Sequence, residues 1–145
     1  LRPAGPADAP ALGRILSDWI DATPWMPRLH TPDEDAAFLL HLIATTAVTV
    51  ADDPPAGFLA REGTDVRALY LAPDARGQGL GRALLNRAKA ESPRLVLWTF
   101  AANDGARRFY KREGFVETAR TDGDNEEGLP DVRMDWPAPA GTVAP

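Results

Sequence analysis

Between an apolar run that ends at Leu71 and an amphipathic run that begins at Leu80, the chain spells Arg76-Gly77-Gln78-Gly79-Leu80-Gly81. No other stretch restricts the fold as much. Three alternating glycines free the backbone to take conformations closed to residues with a Cβ, so successive N–H groups can turn toward one anion. The helix that starts here adds its unpaired N–H groups and the positive end of its dipole, and Arg76 and Arg82 bracket the loop with charge. That helix runs from about Gly79 to Glu91 and stops before Pro93; it buries Leu80, Leu84, Leu85 and Ala88 and exposes Arg82, Arg87 and Lys89. Leu95 to Phe100 is apolar on both faces and predicts a central strand covered on two sides, parallel to Val66 to Leu71. Strand, helix and parallel strand form a right-handed crossover whose first strand ends at the glycine loop, the place where such units hold ligands.

The spacing separates this loop from two better-known phosphate loops. A dinucleotide loop needs G-x-G-x-x-G, but Arg82 stands where the third glycine would be; a P-loop needs Lys-Ser or Lys-Thr, and neither pair occurs in the chain. The residues spell R-x-x-G-x-G after a strand, with Pro73 between. This resembles the acyl-CoA loop of the GNAT-type N-acetyltransferase superfamily, and the likeness covers Val66 to Phe115 well: strand, loop, helix, strand, then a short helix with an Asn near its start and a Tyr near its end.

The resemblance implies acetyl-CoA as cofactor, its pyrophosphate held by the backbone around Arg76, Gly77, Gln78, Gly79, Leu80, Gly81 and Arg82. It implies contacts to the acyl carbonyl and pantetheine arm from the backbone at Leu69 and Leu71. Asn103 takes the place of a residue that hydrogen-bonds that arm, and also suits a helix cap. Tyr110, in Phe109-Tyr110-Lys111-Arg112-Glu113-Gly114-Phe115, matches the F-Y-x-x-x-G-F segment whose tyrosine stands near the cofactor sulfur and can donate a proton to it. Some relatives carry a glutamate base on the strand before the loop; Val66 to Leu71 has no carboxylate, which leaves Glu62, Asp65, Glu126, Glu127, Asp131, Asp135 or a water chain.

The rest of the chain fills in around this unit. Leu12, Ile15, Leu16, Trp19 and Ile20 form one stripe of an amphipathic helix that ends near Pro24. Thr31-Pro32-Asp33-Glu34 is a capping box with proline at the first helical position, and the helix it starts is expected to pack through Phe38, Leu39, Leu42 and Ile43. Between them, the proline-stiffened loop Thr23 to Arg28 carries Trp25 and Met26, which the resemblance places at the acceptor wall; Asp131 is expected to face a cationic amine from the opposite side. Thr46 to Ala51 and Gly57 to Arg61 predict a hairpin, Asp122 to Gly128 a mobile loop, and Val132, Met134 and Trp136 a last half-buried strand. The expected fold is α/β (α+β): a mixed, mostly antiparallel twisted sheet of six to seven strands flanked by about four helices, with one parallel pair beside the CoA loop. Residues 1–136 are expected to form a single domain and 137–145 a Pro- and Ala-rich tail.

With no cysteine, disulfides, thiolate zinc sites and cysteine nucleophiles are excluded, and a cytoplasmic location is expected. His30 and His41 lie at no spacing that suggests a triad or a metal, and no metal is expected. A net charge of −5 argues against nucleic-acid binding, and no apolar run approaches the roughly 18 residues of a membrane span. The expected activity is acetyl transfer from acetyl-CoA to a primary amine of a small molecule, with a protein N-terminus, a lysine or a non-catalytic CoA-binding module as alternatives. A homodimer is compatible with this reading.

Overall fold

The structure, a computed structural model, describes residues 1–138. The tail expected at 137–145 lies, apart from its first two residues, outside the described residues. Helix α1 (Ala9–Ala22) buries Leu12, Ile15 and Leu16. Helix α2 (Pro32–Thr45) begins with the expected box: Thr31 Oγ1 accepts from the Glu34 N–H at 3.1 Å, and the Glu34 carboxylate accepts from the Thr31 N–H at 2.9 Å. The two helices cross closely at Gly13, where a Cβ would lie 2.6 Å from the Ala36 Cα. Leu39 and Leu42 pack into the core, but Phe38 is 44% exposed. It sits about 100° round the helix from Leu39, and the buried position on Leu39's own side is taken by Asp35.

Seven strands follow: β1 (Arg2–Pro3), β2 (Ala47–Ala51), β3 (Gly57–Glu62), β4 (Asp65–Leu71), β5 (Leu95–Phe100), β6 (Val116–Thr121) and β7 (Asp131–Trp136), in the spatial order β1-β2-β3-β4-β5-β7-β6. Every neighbouring pair is antiparallel except β4 and β5. These two run parallel as expected, yet among the described residues they register only at Asp65 and Val96, where the Val96 N–H also donates to the Thr64 carbonyl at 2.9 Å. Beyond that point they diverge and form the two walls of a cleft. A β-bulge adds to the irregularity: Ala60 pairs with Ala68 and Arg61 with Val66, so Arg67 is an extra residue on β4.

The sheet separates two apolar clusters. On one face α1 and α2 cover β2 to β4 with Leu12, Leu39, Leu42, Val50 and Phe58. On the other, α3 (Leu80–Glu91) and α4 (Asp104–Arg112) cover the centre with Leu84, Leu85, Leu95, Leu97, Phe115 and Met134. No residue of β5, β6 or β7 belongs to the first cluster. Trp98 on β5, expected to be covered, is therefore 48% exposed. Lys89, expected on the outer face of α3, folds back over the rings of Phe115 and Trp136, 5.8 and 5.0 Å from their centroids.

The loop between β6 and β7, expected to be mobile, is cross-linked. The Asn125 side chain donates to the Leu129 carbonyl at 2.7 Å and accepts from the Leu129 N–H at 3.2 Å, and a Cβ at Gly123 would meet the Gly128 carbonyl oxygen at 2.7 Å.

Candidate active site

The cleft between β4 and β5 has a volume of about 680 Å³. Its first end is the glycine loop. Gly77 and Gly79 take left-handed conformations, φ 75° and 81°, with open space where a Cβ would stand. Gly79 is the N-cap of α3 and has no side chain to cap it, so the N–H groups of the first turn stay open until Ala83 bonds the Gly79 carbonyl at 3.0 Å. Gly81 permits close packing: its missing Cβ would lie 3.4 Å from Phe109 and 3.5 Å from Leu71. Arg76 and Arg82 line this end, Arg82 with Glu113 at 3.5 Å. Gln78 turns away to donate to the Asp74 carbonyl at 2.9 Å, and Leu80 packs against the α3/α4 cluster; neither lines the cleft. A helix N-terminus with two arginines and no Cβ in the way is built to receive a phosphate-bearing group.

Leu69 and Leu71 line one wall and Leu97 to Phe100 the other. β5 spends its backbone pairing on β7, while β4 has β3 on one side and the gap on the other. Past Asp65 the backbone of β4 that faces the gap has no strand partner, which suits an extended polar arm lying between the strands.

Asn103 and Tyr110 meet at this wall. Asn103 Oδ1 accepts from the Ala106 N–H at 3.1 Å, so the residue caps α4 while also lining the cleft. The cap uses the side-chain oxygen and leaves the amide nitrogen for a ligand. The Tyr110 ring is packed between Phe109 and Phe115, with centroids at 5.3 and 5.5 Å. Its hydroxyl bonds to no described residue, yet no buried polar atom is left orphaned, so the hydroxyl reaches the cleft. Burial raises the phenol pKa above its ordinary value, and the nearby Tyr70 raises it further.

The second end is aromatic. Tyr70 on β4 lines it beside Trp19 at 5.2 Å and Phe58 at 5.9 Å, and burial, then the negative charges of Glu127 and Asp35, push its phenol up to about 12. Trp25 stands just behind, 6.0 Å from Trp19 and 5.7 Å from Phe100, both of which line the cleft. Met26 and Asp131 do not line it; Asp131 accepts instead from the Thr121 hydroxyl. The Trp25 loop is held by Arg28, whose guanidinium donates to Asp21 at 2.7 Å, Asp35 at 3.1 Å, Ser17 Oγ at 2.6 Å and the His30 carbonyl at 2.8 Å. His30, just before α2, bonds Glu126 of the β6–β7 loop, and that contact, followed by the weaker one to Glu34 at 3.6 Å, raises the imidazole pKa. Several candidate bases are thereby engaged: Glu126 with His30, Asp131 with Thr121, Asp135 with Arg133 at 2.9 Å and Glu62 with Arg67 at 3.2 Å.

Residues 41–117 match the acetyltransferase (GNAT) domain family. The chain belongs to the GNAT acetyltransferases. Among relatives, it is 31% identical over 148 residues to the peptidyl-lysine N-acetyltransferase YiaC of Escherichia coli, covering 94% of this chain and 96% of YiaC. It is 38% identical over 73 residues to the peptidyl-lysine N-acetyltransferase YjaB of E. coli, a match that spans half of each chain. The solution structure of apo YjaB superposes with a TM-score of 0.76 at 26% identity, over 93% of this chain and 95% of that one. Salmonella typhimurium YncA, solved with its cofactor acetyl-CoA, shares the fold with a TM-score of 0.70 at 23% identity, over 99% and 95% of the two chains. No helix among the described residues is long and apolar enough to cross a membrane.

Tyr70, Trp19 and Phe100 are among the cleft residues that sequence reasoning does not reach. Trp19 reads as part of a buried helical stripe and Tyr70 as part of an apolar strand; the available signal is the hydroxyl that Tyr70 carries among the aliphatic residues of that strand.

Proposed function

We propose that this GNAT domain transfers the acetyl group of acetyl-CoA to the side-chain amine of a protein lysine. The observation that carries the transfer is the continuous cleft, which runs from an uncapped, glycine-lined helix N-terminus, past a strand edge without a partner and the Tyr110 hydroxyl, to an aromatic end. The lysine acceptor, an alternative in the sequence reading, is supported by YiaC and YjaB, both named peptidyl-lysine N-acetyltransferases.

Acetyl-CoA supplies an acyl thioester whose carbonyl carbon is open to attack by a neutral amine. The open N–H groups at the start of α3, with Arg76 and Arg82, hold the pyrophosphate. The β4 backbone around Leu69 and Leu71, with the Asn103 amide, holds the pantetheine arm. Trp19, Tyr70 and Phe100, backed by Trp25, enclose the aliphatic stem of the lysine, and the Glu127 charge near Tyr70 favours a cationic group there. The Tyr110 hydroxyl stays protonated at neutral pH and gives its proton to the departing thiolate, and the proton that the amine sheds as the amide forms returns through water to the Tyr110 oxygen.

The test is thiol release from acetyl-CoA with three acceptors: a lysine peptide blocked at its N-terminus, a peptide whose only amine is the N-terminal one, and a free small amine. Preference for the first is expected. Preference for the small amine restores the simpler acceptor first expected from the sequence, and binding of acetyl-CoA without turnover on any amine refutes the enzyme reading.

A further inference from the structure

The cleft has a second opening. Leu95 and Leu97 of β5 belong to the α3/α4 cluster, so strand alternation sends Val96, Trp98 and Phe100 to the opposite face. The contact of Phe100 with Trp25 places them on the α1/α2 side. Neither of those helices extends over this half of the sheet, and Trp98 is left 48% exposed there. It lies opposite Arg133 of β7, which is ion-paired to Asp135, and near the bulged Arg67. Trp98 and Arg67 line the main cleft and also a second hollow of about 270 Å³, shared with Asp65 and Val96, at the foot of the divergence between β4 and β5.

We propose that this open face is where the acceptor polypeptide lies, with Trp98 as its anchor and the target lysine passing from it into the cleft. The proposal rests on the lysine reading and extends it from the amine to the chain that carries the amine. The hollow is continuous with the cleft through shared wall residues, so a chain seated there can lead its side chain inward without leaving the protein surface. One large exposed aromatic ringed by charges of both signs, Arg67, Arg133, Asp65 and Asp135, is the pattern of an anchor with a polar rim, which suits polypeptide backbone and mixed side chains. A free small amine is enclosed by the aromatic end and has no use for such a surface.

The test compares wild type with Trp98→Thr, which keeps a strand-forming residue on an exposed position and is expected to fold. The readout is the ratio of KM for an N-terminally blocked lysine peptide to KM for a free small amine. Loss of the anchor is expected to raise that ratio roughly 10- to 30-fold. A second measurement needs no turnover: the indole N–H resonance of Trp98, assigned by its loss in Trp98→Thr, is expected to shift when the peptide is added in the presence of CoA and to stay in place when the small amine is added. An unchanged ratio, or a Trp98 resonance indifferent to the peptide, in a wild type that does acetylate the peptide overturns this proposal and leaves the lysine reading standing. Wild-type turnover on small amines with none on peptides overturns both. A Trp98 resonance that moves with protein concentration alone assigns the face to a second copy of the chain and overturns the proposal.

Discussion

Replacing Tyr110 by phenylalanine isolates one hydroxyl. The ring keeps its contacts with Phe109 and Phe115, and the hydroxyl bonds to no described residue, so no hydrogen bond is broken and no cavity larger than an oxygen atom opens. Stability should change by no more than about 0.5 kcal/mol, or about 1–2 °C in Tm for a chain of this size. The chemical step should suffer far more. A positioned general acid contributes about 10²-fold at the lower end of its range, and 10²-fold corresponds to about 2.7 kcal/mol of barrier. Because burial and Tyr70 raise the phenol pKa, it stays loaded throughout the usable range, and wild-type kcat should show no alkaline fall from this group below about pH 10. The assay is thiol release at saturating acetyl-CoA and acceptor, with cofactor affinity by calorimetry and Tm by scanning fluorimetry on the same preparations. The expected result is kcat down about 10²-fold with affinity and Tm unmoved. A kcat within twofold of wild type refutes the proton-donor role, and a lower Tm with kcat kept assigns Tyr110 to packing alone.

Gly79→Ala should cost about 1–2 kcal/mol from its left-handed backbone and also weaken CoA binding; Gly63→Ala, with φ 59° and equally open space in the β3–β4 turn, should cost the same stability and leave binding intact in calorimetry. Trp25→Ala should raise the acceptor KM well above any change in the acetyl-CoA KM, because Trp25 backs Trp19 and Phe100 at the aromatic end; equal effects on both would remove it from the acceptor wall. Asp8 is held at a pKa of about 2 by the Arg2 guanidinium and the Gly5 N–H, below its unfolded value of ~3.9, so its contribution is complete above about pH 4 and is lost as pH falls toward 2. Asp8→Asn should therefore lower Tm at pH 7 by a few degrees, about 1 kcal/mol after allowance for the exposed Arg2, and the gap to wild type should close in melts near pH 2.

What the sequence disclosed was whatever rests on local rules. The α2 capping box, the glycine loop and the start of α3 follow from residues within one turn of each other, whereas Asn103 and Tyr110 stand out only through the likeness of their short helix to the family's. What it hid depends on distant partners. Asp35 reads as a first-turn acid that favours a helix N-terminus, yet it is buried where Arg28, seven residues earlier, bends back to meet it, and Phe38 lies off the buried side that Asp35 and Leu39 share. Tyr70 is hidden for another reason: the bulge at Arg67 shifts which β4 residues face α1, and a register shift has no signature in the strand's own sequence. Trp98 reads as core because its strand is apolar throughout; its exposure is set by α1 and α2, which cover the same face but only over β2 to β4. Lys89 looked like solvent because of its charge, but its long stem lets it cross the rings of Phe115 and Trp136.

The single parallel registration at Asp65 and Val96 also makes the sheet mechanically uneven. One slab, β1 to β4, is clamped by α1 and α2, while the other, β5 to β7, is joined to it along the gap by little backbone pairing beyond that point. Such a seam is where a fold opens first under heat or denaturant. A molecule lodged along it touches both slabs and works as a rivet, stabilising the folded chain by about 2.7 kcal/mol when present at a hundred times its dissociation constant. Acetyl-CoA seated there, as proposed, is thus also a temporary structural part, and each release of product leaves the seam without its rivet.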